Sequence, residues 1–352
     1  MTDLELGTAA AEDIIRRVLR VELHKALDPL DPADYDTIVA RLQRAMSRAA
    51  AGSEAKVLNA AVNALDVDWA NLTAAARQRL IDATASTLLD IPAQTVGPLV
   101  TTLEVAGERI QRGTRSAVRA LIEGTIQISL SAVDRQVTAH AAESQAHYIT
   151  DQWGRRRADW SRTARSIVAQ GLEEGLGRDE IAAILQARLG SVAGARVSAA
   201  YYSVIASSFA ARARSFSHLR AFEDAGIERF IFEAIMDEHT TDQCACLHGR
   251  RFEVGAGLRA FNDVARDSDP EAVIDLQPWV RSGSGPNGER VLFTQRRDGT
   301  RTTIATIAES RVGQRDAPGR YTNVKSTDEL AAMGICTPPL HAHCRSTITA
   351  DV

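Results

Sequence analysis

The sequence predicts a mainly α-helical protein that ends in a small α+β module, and three observations carry that prediction. Alanine is abundant while aromatic residues make up only 5% of the 352 positions, a balance that favours helices over sheets. Apolar residues recur at helical spacing along most of the chain as far as Ala225. Beyond Ile227 the pattern changes to a partly alternating Ile/Phe run, and the four cysteines, Cys244, Cys246, Cys336 and Cys344, all follow it.

The first helix is expected from Ala9 to Leu27, where Ile15, Leu19, Leu23 and Leu27 recur every four residues and Ile14 and Val18 widen the stripe. Asp28-Pro29 and Asp31-Pro32 break it, because proline lacks an amide donor and restricts the residue before it. A second helix is expected over Ala33–Ala51, stopping near Gly52, then shorter ones over Ser53–Leu65 and Leu72–Leu89. Ile91-Pro92 and Gly97-Pro98 mark the next boundary.

Leu99–Thr150 contains no proline and places Val118, Leu121, Ile122, Thr125, Ile128 and Ala132 at helical spacing, a stripe suited to the core of a bundle. Gly113 and Gly124 each cost about 1 kcal/mol against alanine and allow a kink. Residues 151–165 hold five arginines against two aspartates, with Trp153 and Trp160 between them. That mixture suits either a solvated helix start with buried tryptophans or a grip on nucleic acid through Arg155, Arg156 and Arg157. A helix, a glycine-rich turn and a short helix with an acidic first turn (Asp179, Glu180) follow over Ile167–Leu185, and a further helix spans Arg196–Ala225 with Gly226 ending it. These boundaries divide the chain into a helical N-terminal domain (1–150), a helical connection (151–226) and a C-terminal module (227–352).

In that module Glu228–Met236 reads as a strand, Asp237–Gly249 as a polar loop carrying thiols, and Arg251–Val254 as a second short strand. Further on, Val291–Gln295 and Thr302–Ile307 flank Arg-Arg-Asp-Gly-Thr-Arg and predict a hairpin with a basic turn. Residues 281–325 contain nine basic and four acidic side chains, a local net of +5, so the hairpin turn, with Arg296 and Arg297, is either an ordinary charged loop or a DNA-phosphate contact.

Cys244, Cys246 and His248 form one knot of soft ligands, and Cys336, His341, His343 and Cys344 a second. Thiolate and imidazole together suit a tetrahedral zinc ion that would stitch the two stretches together and contribute folding energy. The set read from the sequence is Cys244, Cys246, His341 and Cys344, with Cys336 as the replacement. The alternative is buried free thiols with hydrogen-bonded histidines.

These residues carry a family pattern. Asp237, Thr240, Cys244, Leu247, His248, Gly249 and Phe252, followed by Pro338, Pro339, Leu340, His341, Cys344 and Arg345, resemble the paired C-terminal motif of the phage Mu F-like minor head proteins, the phage head morphogenesis family. The resemblance spans about residues 165–350. It implies a structural minor head protein of a tailed phage or phage-like particle that associates with the portal protein and other capsid components during head assembly. It also implies a role with the packaged double-stranded DNA at ejection, and no catalysis. The expected location is the virion head, with the host cytoplasm during assembly. The chain departs from the pattern in three places. Many members carry cysteine where this chain has Thr241 and Ser346, and proline where it has Ala342, here followed by an extra His343. An insertion over about 255–335 separates the motif halves. If the family's site is a zinc clip, Cys246 or Cys336 must replace the thiol absent at Thr241.

Two other functions fit parts of the sequence. A zinc-dependent hydrolase or toxin-like enzyme could use an open metal position near Asp237, Glu238, His239 and His248, although His-Glu-x-x-His, the zinc-deaminase signature, a P-loop and Gly-x-Ser-x-Gly are all absent. A DNA-binding module could use the two arginine groups. A formal charge of −4 excludes binding of nucleic acid by bulk positive charge. No apolar run approaches eighteen residues, and the acidic start MTDLELGTAAAED lacks the apolar core of a secretory signal, so no membrane partner is expected.

Overall fold

The computed structural model describes residues 27–352 apart from 64, 66, 68–70, 89–90, 123–124, 193–194 and 316–317. The helix expected over Ala9–Leu27 lies almost wholly outside the described residues. Helices α1 (Pro32–Asn63), α2 (Ala74–Leu88), α3 (Ile91–Leu121), α4 (Ala132–Glu173), α5 (Arg178–Val192) and α6 (Ala195–Asp224) precede a mixed region. That region runs β1 (Arg229–Glu233), α7 (Asp242–Leu247), β2 (Arg251–Glu253), α8 (Val254–Arg266), α9 (Val273–Leu276), β3 (Val280–Ser284), β4 (Arg290–Gln295), β5 (Arg301–Glu309), β6 (Arg320–Thr322), α10 (Thr327–Ala332) and β7 (Thr347–Ala350). The protein is thus mainly helical with small antiparallel sheets near its C-terminus, as its composition predicts. Among the described residues no helix is long and apolar enough to cross a membrane.

Two compact units divide the described chain, and neither is continuous in sequence. One gathers Gln43–Leu103 and Gln145–Tyr202, the other residues 27–42, Glu104–Ser144 and Ser203–Val352. The units therefore do not divide at 150 and 226, because α1, α3, α4 and α6 each supply residues to both. In the first unit Val57, Ala61, Ile81, Leu88, Val168, Leu172, Ile181 and Leu185 form the core, and Gly175, with φ +74°, makes the turn between α4 and α5.

Several helix limits differ from the sequence reading, each for a local reason. Asp31 caps α1 by accepting the Ala33 and Asp34 amides, both at 2.9 Å, with Pro32 as the first helical residue. Gly52 does not end α1: its penalty is only about 1 kcal/mol, and burying Ala50, Ser53 and Val57 outweighs it. Pro98 lies inside α3 rather than at its boundary, and the turn after it buries Leu99, Thr102 and Leu103 completely. The expected stripe across 118–132 is interrupted, since α3 ends at Leu121, which is 76% exposed. Helix α4 restarts with a reciprocal cap in which the Asp134 amide donates to Ser131 Oγ at 3.2 Å and the Ser131 amide to Asp134 Oδ2 at 2.6 Å. Arg115, buried against Asp134 at 2.6 Å and donating to the Gln127 and Ser129 carbonyls at 3.2 Å, holds that connection.

The core of the second unit joins α6 to both sheets. Phe216, Leu219 and Phe222 of α6 belong to one cluster with Phe230, Phe232, Phe252, Leu292, Ile304 and Ile348. Gly226, at φ +72°, ends α6 while the Ile227 amide reaches the Phe222 carbonyl at 2.9 Å. The first sheet has the order β2-β1-β7, so a strand from beyond residue 346 completes a sheet begun at 229. The insertion builds more than the expected hairpin: it contributes a complete antiparallel sheet in the order β3-β4-β5-β6.

Candidate metal centre

The centre is assembled from the end of β1, helix α7 and the segment before β7. Past β1 the chain turns sharply: the Asp237 amide donates to Thr240 Oγ1 at 2.8 Å, and the His239 amide donates to Asp237 Oδ1 at 2.9 Å. Arg345 donates to Asp237 and, at 3.1 Å, to Asp36, which ties the second stretch to the first. Burial works to raise the Asp237 carboxyl, but the His239 amide and Arg345 hold it below its usual range.

The thiol stretch expected as a loop is helix α7. Thr241 stands at its N-cap position yet makes no cap bond; its Oγ1 lies 2.9 Å from His341 Nε2 instead. Asp242, buried in the first turn, accepts from Tyr321 Oη and Ser310 Oγ, both at 2.9 Å, and from Arg290 at 3.2 Å, so the inserted sheet braces α7. Buried among these groups, Cys244 Sγ lies 3.1 Å from His341 Nε2 and 3.6 Å from Cys344 Sγ, 100 residues away in sequence. His341 Nδ1 donates to the Ala342 carbonyl at 2.6 Å, which leaves the lone pair of the neutral ring on Nε2, facing the sulfurs.

Cys244, His341 and Cys344 could hold a metal ion. Two thiolates on one tetrahedral ion at about 2.3 Å each stand about 3.8 Å apart, and the observed 3.6 Å fits that spacing. It is far too long for a disulfide, and all four cysteines are free. The hydrogen bond from Cys244 is the main cause that lowers the Cys344 thiol to about 5, against its burial. The same bond, with burial, raises the Cys244 thiol. The Thr241 and Ser346 hydroxyls work to lower the Cys244 thiol, and Ser346 that of Cys344. Metal binding requires both sulfurs as thiolates, so an ion would displace the thiol protons the pair still carries.

Cys246 and Cys336, named in the sequence-derived ligand set, do not join this group. On a helix, residues two apart point about 200° from each other, so Cys246 turns away from Cys244, and both are buried. Burial pushes its thiol up to about 11, and that of the fully buried Cys336 up to about 12. Neither replaces the absent thiol at Thr241; the Thr241 hydroxyl itself occupies that place. His343 is exposed in a left-handed conformation, and His248 Nδ1 accepts the Ala234 amide at 3.2 Å as part of the fold.

Arg214 was missed by the sequence reading. Its guanidinium donates to the Pro29 carbonyl at 3.1 Å and to the Arg345 and Ser346 carbonyls at 2.9 and 2.6 Å, directly beside Cys344. The signal was present: Arg214 lies four residues after Ala210 on the buried face of α6. The proposed nucleic-acid arginines fall elsewhere. Arg155, Arg156 and Arg157 belong to α4, and their side chains lie outside the described residues. Arg297 is engaged by Asp275 at 2.7 Å and by Asp269, and Arg296 lines a cleft that Asp275 also lines. No family model, curated protein or solved structure matches this chain.

Proposed function

We propose that this chain is a structural minor head protein of a tailed phage or phage-like particle, and that its C-terminal module is closed by a zinc ion on Cys244, His341 and Cys344. The observation that carries the reading is the convergence of the two motif halves on a single buried group. Other motif residues have roles around it: Asp237 and Thr240 form the turn, Arg345 clasps Asp237, Gly249 takes φ +74°, and Leu247, Phe252 and Leu340 are buried. Two sulfurs and one imidazole nitrogen favour zinc over magnesium or calcium, which take oxygen. The ion's contribution is stability: it adds a bond between stretches about 100 residues apart that also meet in the hydrophobic core and through Arg345 and Asp237.

Two measurements test this reading separately. Metal analysis of the purified protein should find one zinc per chain, lost on Cys344→Ser together with thermal stability; absence of metal and unchanged melting would overturn the clip. Co-expression with the portal protein of the same genome should give a complex that survives purification, and its absence across salt conditions would overturn the head-protein assignment.

A further inference from the structure

Nine basic residues lie in 281–325, but five are neutralised by carboxylates. Arg290 pairs with Asp242, Arg297 with Asp269 and Asp275, Arg311 with Glu309, Arg315 with Glu238 and Lys325 with Glu329. Among the described residues Arg281, Arg296, Arg301 and Arg320 make no ion pair. Arg296 faces the cleft beneath the sheet, with Thr294 and Thr302. The other three are exposed.

Strand register shows where those three stand. Arg281 lies opposite Phe293, and Phe293 opposite Thr303. One row over, Gly283, Val291, Thr306 and Thr322 succeed one another across β3, β4, β5 and β6. Because side chains alternate, Arg301 shares the face of Thr303, and Arg320 that of Thr322. The opposite face carries Val280, Leu292, Ala305 and Ile307 into the core. The outer face therefore carries the exposed Thr303 and Thr322, the buried Val291 and Phe293 between β3 and β5, and at its edges guanidiniums outside any ion pair. Arg301 is held over the Phe293 ring at 4.7 Å, and the ring packs against the bare backbone of Gly283. Glu309, the register partner of Arg320, is paired with Arg311, and Asp298 accepts the Thr300 amide at 2.8 Å.

We infer that this outer sheet face binds the phosphate backbone of double-stranded DNA, with Arg281 and Arg301 as the principal contacts, Arg320 at the far end, and the Thr303 and Thr322 hydroxyls as secondary donors. Exposed guanidiniums outside any ion pair and neutral hydroxyl donors complement a polyphosphate, and phosphate contacts carry no base information, so the contact is independent of sequence. The inference relocates the DNA contact from the β4–β5 turn, whose Arg297 is already bound to two carboxylates. It rests on the charge arrangement alone, not on the metal or the head-protein reading.

The test is fluorescence anisotropy of a labelled 20-base-pair duplex against the full chain, titrated at several potassium chloride concentrations. The parent should bind with affinity that falls steeply as salt rises. Arg281→Ala/Arg301→Ala should reduce the slope of log affinity against log salt by about 2, since each duplex phosphate contact contributes about 0.9. The charge-preserving Arg281→Lys/Arg301→Lys should keep most of the slope, and Arg297→Ala should leave it unchanged. Arg281→Gln, at an exposed site with no bonded partner, should lose about one unit at parental melting temperature, which separates a lost contact from a lost fold. Salt-independent or absent binding by the parent, or an unchanged slope in the alanine pair, would overturn the inference. Loss of slope in Arg297→Ala alone would overturn it in favour of the turn. Cys344→Ser should bind DNA as the parent does if it remains folded, so a failed metal site and a failed DNA surface give different results.

Discussion

Replacing Arg214 by methionine should destabilise the second unit by about 4 kcal/mol. Arg214 is 1% exposed, and its hydrogen-bonded acceptors are three main-chain carbonyls, at 3.1, 2.9 and 2.6 Å, rather than a carboxylate. Its guanidinium also lies 3.7 Å from the centre of the Tyr35 ring. Burial pushes the guanidinium pKa below its usual value, and the neighbouring Tyr35, Cys344 and Asp36 restore part of it. Methionine fills similar volume but leaves three buried acceptors without a donor, at about 1–3 kcal/mol each. Relief of a buried cation offsets part of that sum, which leaves a net loss near the 3–5 kcal/mol seen when a buried charged partner is removed. For a unit of this size each kcal/mol moves the melting temperature by about 2–4 °C, so scanning calorimetry should show a fall of about 10 °C. Arg214→Lys should recover less than half of it, because a single ammonium cannot span carbonyls on both sides. Melting within about 2 °C of the parent would refute the argument that Arg214 fastens the residue 29 and residue 345–346 segments to α6.

Thr241→Cys should supply a third thiolate where the hydroxyl now lies 2.9 Å from His341 Nε2, and competition with a chromogenic chelator should show zinc bound at least about tenfold more tightly. Cys246→Ser should leave the metal content unchanged. Cys336→Ser should do the same, while placing a hydroxyl in an apolar site at a cost of about 1–3 kcal/mol, read by denaturant unfolding. Burial, aided by Arg214, lowers His218 to about 3 from its ordinary value of 6.5. The unfolded chain therefore binds a proton that the folded one refuses, and stability is lost as pH falls through the window between 6.5 and about 3. The cost between pH 7 and pH 5 is about 2 kcal/mol, and His218→Gln should remove that part of the pH dependence from denaturant titrations.

What was legible depended on whether a residue's neighbours lay nearby in the chain. The Ala195–Asp224 helix and its end at Gly226, the turn at Gly175 and the β4–β5 hairpin follow from local spacing and glycine chemistry, and the structure has each of them. Gly52 and Pro98 misled because a local penalty of a few kcal/mol or less was outweighed by burial that no single window of sequence displays. At the candidate site the residue types identified Cys244, His341 and Cys344, since soft ligands in two clusters have few other uses. The choice among seven candidates required the knowledge that Cys244 and Cys246 share a helix, which the short polar segment 242–247 does not advertise. Charge counting found the basic stretch at 281–325, but only register and pairing show which arginines remain available.

The order β2-β1-β7 has a consequence for biosynthesis. Strand β1 is flanked on one side by β2, which is made about twenty residues later, and on the other by Thr347–Ala350. While the intervening hundred-odd residues leave the ribosome, one edge of β1 stays open and Phe230 and Phe232 lack their final cover. The helices can form as they emerge, but this module must wait for its last strand, so chaperone dependence and aggregation during slow translation should concentrate there rather than in the helical part.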